Sequence, residues 1–200
     1  YKLVSRGGGP DPRWPASAGT DLNSMYLYHS PDGVRWAREA EPVLPFYTGA
    51  PTPVFWDAAI SKWVMYPRGY TRNPTGIRLF TRLEVEKEGL RKAYPIRRDP
   101  ARAVTAPGKT RGLLDELPPV LQPDEKDPVG TQIYTMCAYK YPWAGNTYVA
   151  FPSVWFSRLK WFGGRVEPQA SDTLEIQFAF SRDGVKWERP FRRALVPPGI

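Results

Sequence analysis

The chain is short of the residues that most nucleophilic and metal chemistry uses. It holds one cysteine and one histidine in 200 residues. A lone Cys137 argues against a disulfide framework and a cysteine-built metal site. A lone His29 argues against a Ser-His-Asp triad and a multi-histidine zinc centre. Cys137 lies in Tyr134-Thr135-Met136-Cys137-Ala138-Tyr139, which reads as buried strand, and His29 falls in another repeat, so the pair is not expected to form a catalytic couple. No apolar run approaches the roughly 18 residues of a membrane span, so no membrane, metal or cofactor is expected. The sequence opens at Tyr1 inside the strand-like Tyr1-Lys2-Leu3-Val4, without initiator Met or signal peptide. It reads as a fragment or processed piece and assigns itself no compartment.

Acidic residues are also in deficit. A net charge of +8 with a pI near 9.6 invites a nucleic-acid reading. The basic residues are scattered, however, with short clusters only at Arg97-Arg98 and Arg192-Arg193, and no nucleic-acid motif accompanies them. A solvated basic surface, with no nucleic-acid partner, is the expectation.

Aromatic residues are abundant: eight Trp, eleven Tyr and nine Phe point to a folded, β-rich chain. The 23 Pro and 17 Gly are spread between strand-like runs as turn punctuation. Two stretches repeat. Ser30-Pro31-Asp32-Gly33-Val34-Arg35-Trp36 follows Met25-Tyr26-Leu27-Tyr28, and Ser181-Arg182-Asp183-Gly184-Val185-Lys186-Trp187 follows Ile176-Gln177-Phe178-Ala179-Phe180. Gly supplies the positive φ of a tight turn, Ser and Asp accept bonds from turn amides, and Trp starts the returning strand. Ser30, Asp32, Gly33, Trp36, Ser181, Asp183, Gly184 and Trp187 are therefore expected to lock two outer hairpins. Ile77–Arg82 followed by Leu83-Glu84-Val85 reads as a decayed third copy, with Thr81 in the serine's place.

The copies set a unit of roughly 50 residues, once inflated by an insertion, which fits four-stranded propeller blades better than one sandwich. The units are expected at about 1–48, 49–123 and 124–200. In the second, residues 83–123 read as an irregular insertion with a helical turn near Gly112–Glu116. Third-unit strands are expected over Gln132–Tyr139, Thr147–Val154 and Leu174–Phe180, with a tight turn at Trp143-Ala144-Gly145-Asn146. The fold expectation is all-β: about three four-stranded antiparallel blades of a propeller, in one domain that leaves the ring incomplete.

The S-x-D-G-x-x-W turns, Val54-Phe55-Trp56-Asp57 running into Lys62-Trp63-Val64-Met65-Tyr66, Gln132-Ile133-Tyr134 and Tyr148-Val149-Ala150-Phe151-Pro152-Ser153 together resemble the five-bladed propeller glycoside hydrolases. Those are the invertase-like and arabinanase-like families 32 and 43. The resemblance implies a funnel lined by the first strand of each blade, with carboxylates at the strand starts. It implies action on glycosidic bonds, where one carboxyl protonates the leaving oxygen while another serves the opposite face of the sugar.

Departures are evident. Ala50-Pro51-Thr52 stands where the invertase-like proteins carry Arg-Asp-Pro, Gly9-Pro10-Asp11-Pro12 is a weak stand-in for the nucleophile motif, and no Glu-Cys pair is present. The surviving catalytic candidates are Asp127, followed by Pro128 before an innermost strand, then Asp57 at a strand end, and Glu175. Asp127 is expected to face the funnel while Asp124 and Glu125 face solvent. Asp127 and Asp57 each have a structural alternative, as a turn cap and as a hairpin residue. Trp56, Trp143, Trp155 and Trp161 are candidates for stacking on sugar C–H faces. Two functions follow: a glycosidase-like propeller with a carbohydrate substrate, or a catalytically silent propeller binding carbohydrate or a protein partner.

Overall fold

The structure, a computed structural model, describes residues 1–6, 25–44, 48, 51–70, 78–89, 117–156 and 173–198. These residues are all-β, with no α-helix among them. The strands are β1 (Lys2–Arg6), β2 (Met25–His29), β3 (Ala37–Leu44), β4 (Val54–Asp57), β5 (Lys62–Met65), β6 (Arg68–Tyr70), β7 (Arg78–Thr81), β8 (Leu83–Val85), β9 (Pro119–Leu121), β10 (Thr131–Lys140), β11 (Tyr148–Phe156), β12 (Thr173–Ile176), β13 (Ala179–Ser181) and β14 (Trp187–Glu188). All pairing is antiparallel, in the orders β1-β2-β3, β4-β5-β8, β6-β7-β9 and β10-β11-β13-β14, with β12 also on β11. No sheet closes on itself among the described residues.

Register joins several of these pieces. Met65 pairs with Leu83 and Arg68 with Phe80, so β5–β6 and β7–β8 run past each other without a slip. Pro67 has no N–H to give the ladder, which explains the interruption. Thr81 still donates its N–H to the Pro67 carbonyl at 3.1 Å. β4, β5–β6, β7–β8 and β9 thus lie side by side as four consecutive chain runs. The same logic unites β12 and β13. Ser153 pairs with Ile176 and Ala150 with Ala179. Pro152, opposite Gln177, cannot donate, although it accepts the Gln177 N–H at 3.0 Å.

Two expectations are corrected. The stretch from 83 to 123 is not irregular throughout, because β8 and β9 come from it; Pro119 is tolerated since β9 is an edge strand. Its expected helical turn near Gly112–Glu116 lies outside the described residues. Cys137 is exposed rather than buried. The run 134–139 alternates, and Cys137 takes the face opposite Met136 and Ala138, which are buried.

Alternation of this kind builds two core layers. One joins Val4, Met25, Leu27, Val43 and Leu44 of the first sheet to Met65, Leu83 and Val85. The other joins Val64, Tyr66 and Phe80 to Ile133, Met136, Ala138, Ala150, Val154 and Ala179. Val64 and Met65 are neighbours in sequence, yet each is fully buried in a different layer. The β4–β9 strands are therefore the filling of a three-layer stack, with β4 and β10 in contact at one edge.

Candidate functional site

The junction between β4–β9 and the β10–β14 sheet is apolar in the middle and polar at both ends. At the Lys140 end of β10, Asp57 is fully buried. Its carboxylate accepts bonds from the Lys140 Nζ at 2.5 Å, from the Tyr148 hydroxyl, and from the Ala59 N–H at 3.1 Å. Burial alone would push the Asp57 pKa up; the Lys140, Tyr148 and Ala59 bonds outweigh it and hold the carboxyl below its ordinary value. Burial acts first on Tyr148 too, and with the Asp57 carboxylate it raises the Tyr148 pKa.

The second Ser-x-Asp-Gly turn plugs into this same end. Arg82 stands opposite Tyr66 and donates from Nη1 to the Asp183 carbonyl at 2.8 Å, while the Tyr66 hydroxyl donates to the Gly184 carbonyl at 2.8 Å. The Tyr66 ring meets Trp187 edge-on at 5.6 Å. Within the turn, Ser181 Oγ accepts the Gly184 N–H at 2.8 Å, and Asp183 Oδ1 accepts those of Val185 and Lys186 at 2.8 Å each. Trp187 Nε1 donates to the Gly184 carbonyl at 3.1 Å. The first turn repeats the pattern: Gly33 to Ser30 Oγ at 2.8 Å, Val34 and Arg35 to Asp32 Oδ1 at 2.9 Å, Trp36 to the Gly33 carbonyl at 3.0 Å. Both glycines have positive φ, 79° and 72°. The decayed copy makes no such turn: Thr81 is buried in β7 and its hydroxyl donates to the Pro67 carbonyl.

The opposite end, at the start of β10, is built from cations, an amide and rings. Arg68 lies in β6 and Arg78 begins β7, on the same face of their sheet. The Arg68 guanidinium donates to the Tyr134 carbonyl at 3.0 Å and sits 5.1 Å from the Tyr134 ring. Arg78 donates to the buried Gln132 amide oxygen and lies 5.2 Å from the Tyr134 ring and 4.8 Å from the Trp155 ring. Tyr134 and Trp155 meet edge-on at 5.7 Å. Tyr134 is presented by a bulge, because the β10–β11 register shifts between Ile133 and Thr135. β10 is an edge strand, so the group lies at the rim of the sheet. Neither Arg68 nor Arg78 is singled out by the sequence; Gln132 at the head of an innermost strand was the available signal.

The sequence candidates do not converge. Asp127 Oδ2 accepts the Asp124 N–H at 2.9 Å and a bond from Arg189 Nη2, while Oδ1 accepts Arg192 Nη1 at 3.1 Å. With its side chain only 3% exposed, Asp127 caps its own turn and anchors the C-terminal segment. Arg189 also donates to Gln177 Oε1 at 3.3 Å, and Gln177 Nε2 to Glu175 Oε1 at 2.7 Å, so Asp127 and Glu175 share one bonded chain. Asp124 pairs with Arg192 at 2.6 Å, and Glu125 is exposed. Asp57 is at the far end of β10, about 30 Å away at 3.3 Å per residue. Paired carboxyls in a glycosidase stand roughly 5–10 Å apart, so Asp57 and Asp127 cannot serve one bond.

The tryptophans divide likewise. Trp56 packs edge-on against Trp63 at 5.5 Å, and Trp143, 82% exposed, meets Tyr141 at 5.4 Å in the β10–β11 turn. Both belong to the Asp57 end. Trp155 alone joins the arginine group, and Trp161 lies outside the described residues. No cluster of three or more His, Cys, Asp or Glu able to hold a metal occurs among the described residues.

No family model matches this chain, and no curated protein does. Among solved structures, the chain is similar to one titled "Glycoside hydrolase", with a TM-score of 0.53 and 17% identity over all of this chain. The chain spans about half, 51%, of that solved chain. At that identity the likeness is one of fold.

Proposed function

We propose that the chain is part of a glycoside hydrolase-like β-propeller that engages carbohydrate, with its three stacked layers as successive blades. In this reading β4 and β10 are inner strands, and the start of β10 faces the central funnel. The observation that carries it is the Tyr134–Trp155 pair beside Arg78 and Gln132, in a fold similar to that of a glycoside hydrolase. Rings take the C–H face of a sugar, while guanidinium and amide groups donate to its hydroxyls. Among the described residues this group holds bonding partners for a sugar and no acid–base carboxylate pair, so binding without turnover by this chain is the favoured form.

Isothermal titration against a panel of fructans, arabinans and xylans tests it. Binding to at least one, weakened about tenfold by Trp155→Ala, is expected, since a lost stacking ring is worth about 1–2 kcal/mol. No binding to any neutral or acidic glycan contradicts it. A second reading, hydrolysis, rests on the solved neighbour's title and on Asp127 and Glu175 lying in one bonded chain. Release of reducing sugar that Glu175→Gln abolishes favours it over the first.

A further inference from the structure

Ile133 and Met136 are buried in the same layer, although three residues apart on a regular strand would place them on opposite faces. The bulge resolves the conflict. Ile133 pairs with Val154 and Thr135 with the adjacent Ser153, so Tyr134 is the extra residue and has no partner on β11. β11 is the one strand paired with β10 among the described residues, and a half-buried carbonyl outside the ladder register needs a donor from elsewhere. Arg68 supplies it across the sheet stack: Nη1 donates to the Tyr134 carbonyl at 3.0 Å, and the guanidinium lies 5.1 Å from the ring of that same residue. Arg68 stands opposite Phe80, which is fully buried in the layer shared with β10, and is itself only 5% exposed. Arg78, on the same face, is half-buried and bonds a side chain, Gln132, instead of the backbone.

We propose that Arg68 is a positioning residue: it holds the bulge peptide at Tyr134, and through it the angle of the Tyr134 ring against Trp155, while Arg78 and Gln132 meet a sugar directly. The consequence for binding rests on the carbohydrate reading above; the consequence for the two rings does not. Burial of Ile133 and Met136 requires an extra residue between them but leaves the turn of its peptide plane open. A bond to the Tyr134 carbonyl fixes that plane, one residue's geometry away from the ring. At 5% exposure the Arg68 guanidinium offers a sugar little surface, so its effect on binding passes through Tyr134.

Near-ultraviolet circular dichroism of the ligand-free chain decides it. The Tyr134–Trp155 contribution is the part of the spectrum that Tyr134→Leu removes. Arg68→Met should remove it too, and Arg68→Lys, which keeps a donor, should retain it. Titration with whichever of the fructans, arabinans and xylans binds supplies the second readout. Arg68→Met should weaken that glycan about tenfold, the share expected of one stacking ring. The double variant Arg68→Met/Tyr134→Leu should bind no more weakly than Tyr134→Leu alone, since a residue acting through the ring has no effect once the ring is gone. An intact ring signal in Arg68→Met, or losses that add in the double variant, overturns the proposal. Nuclear magnetic resonance of the unmodified chain gives a result even if Arg68→Met fails to fold. The Arg68 guanidinium protons should be resolved and slow to exchange; averaged, fast-exchanging protons overturn the proposal. A chain that binds none of these glycans, yet loses the ring signal in Arg68→Met, removes the carbohydrate reading and leaves Arg68 in this role.

Discussion

The two polar ends of the β4–β9/β10–β14 junction use the same kinds of residue to opposite effect. At the Lys140 end, the Asp57 carboxylate accepts from Lys140, Tyr148 and Ala59, and the Arg82 guanidinium and Tyr66 hydroxyl donate to the carbonyls of a turn. The Asp57 carboxylate and the Tyr66 hydroxyl are both bonded within the chain, so this end is a strut. At the other end, rings and guanidiniums are gathered at the free edge of β10, where Tyr134 is pushed out by a bulge. A network of ion pairs and turn bonds stabilises a fold; rings and cations grouped on an edge strand can meet a ligand. The difference teaches that the buried carboxylate of Asp57 is committed to scaffolding, and that the site is better sought where cations and aromatics share an edge.

The largest expected effect comes from removing the strut's anion. Asp57→Ala strands the Lys140 ammonium beside Tyr148 and should cost about 3–5 kcal/mol of stability, the usual penalty for breaking a buried pair. Urea unfolding measures it, and glycan affinity of the folded fraction should not change.

Next is a contrast between the twin turns. An added Cβ at Gly184 would lie 2.0 Å from Arg82 Nη1 and 2.7 Å from the Tyr66 hydroxyl, whereas at Gly33 the nearest atoms are Tyr1 ring carbons at 3.6 Å. Gly33→Ala pays only for its positive φ, about 1–2 kcal/mol. Gly184→Ala pays that and displaces two strut bonds, for a total of about 2–4 kcal/mol. Equal losses by thermal unfolding would show that the second turn is no more tied to the junction than the first.

The smallest effect is in pH. The Asp57 carboxyl is depressed in the folded state, so its contribution is fully present above the ordinary value of 3.8 and is lost as pH falls through the folded value. Asp183 is depressed as well: burial raises it, and the Lys186 and Val185 amides with Ser181 outweigh that. Stability should therefore be level through neutral pH and decline below about pH 4. In Asp57→Asn the acid decline should be shallower, as followed by circular dichroism.

How much of this the sequence carries depends on the range of the interaction. The turns are local: Ser, Asp, Gly and Trp within seven residues determine their own bonds, so the motif was readable directly. Alternation placed β10 and β11, and proline explains why the expected strand 174–180 is interrupted in pairing and why β6 resumes past Pro67 beyond the expected strand 62–66. The strands β8 and β9 were hidden because charge and proline in 83–123 mask short strands whose partners are distant in the chain. Cys137 was misplaced because an aromatic run with two apolar faces does not say which face is covered. The Asp-Pro step at Asp127 does not report its partners, because Arg189 and Arg192 lie more than sixty residues on. Arg68 and Arg78 become neighbours of Tyr134 only through sheet stacking, which no local pattern reports.

The most direct test of this division of labour pairs two variants, Trp155→Ala and Asp57→Ala, with glycan affinity and urea midpoint measured for each. The account predicts that Trp155→Ala lowers affinity about tenfold with a small change in midpoint, and that Asp57→Ala lowers the midpoint sharply with affinity per folded molecule unchanged. Loss of affinity in folded Asp57→Ala, with Trp155→Ala binding normally, would contradict it and move the site to the Lys140 end of β10.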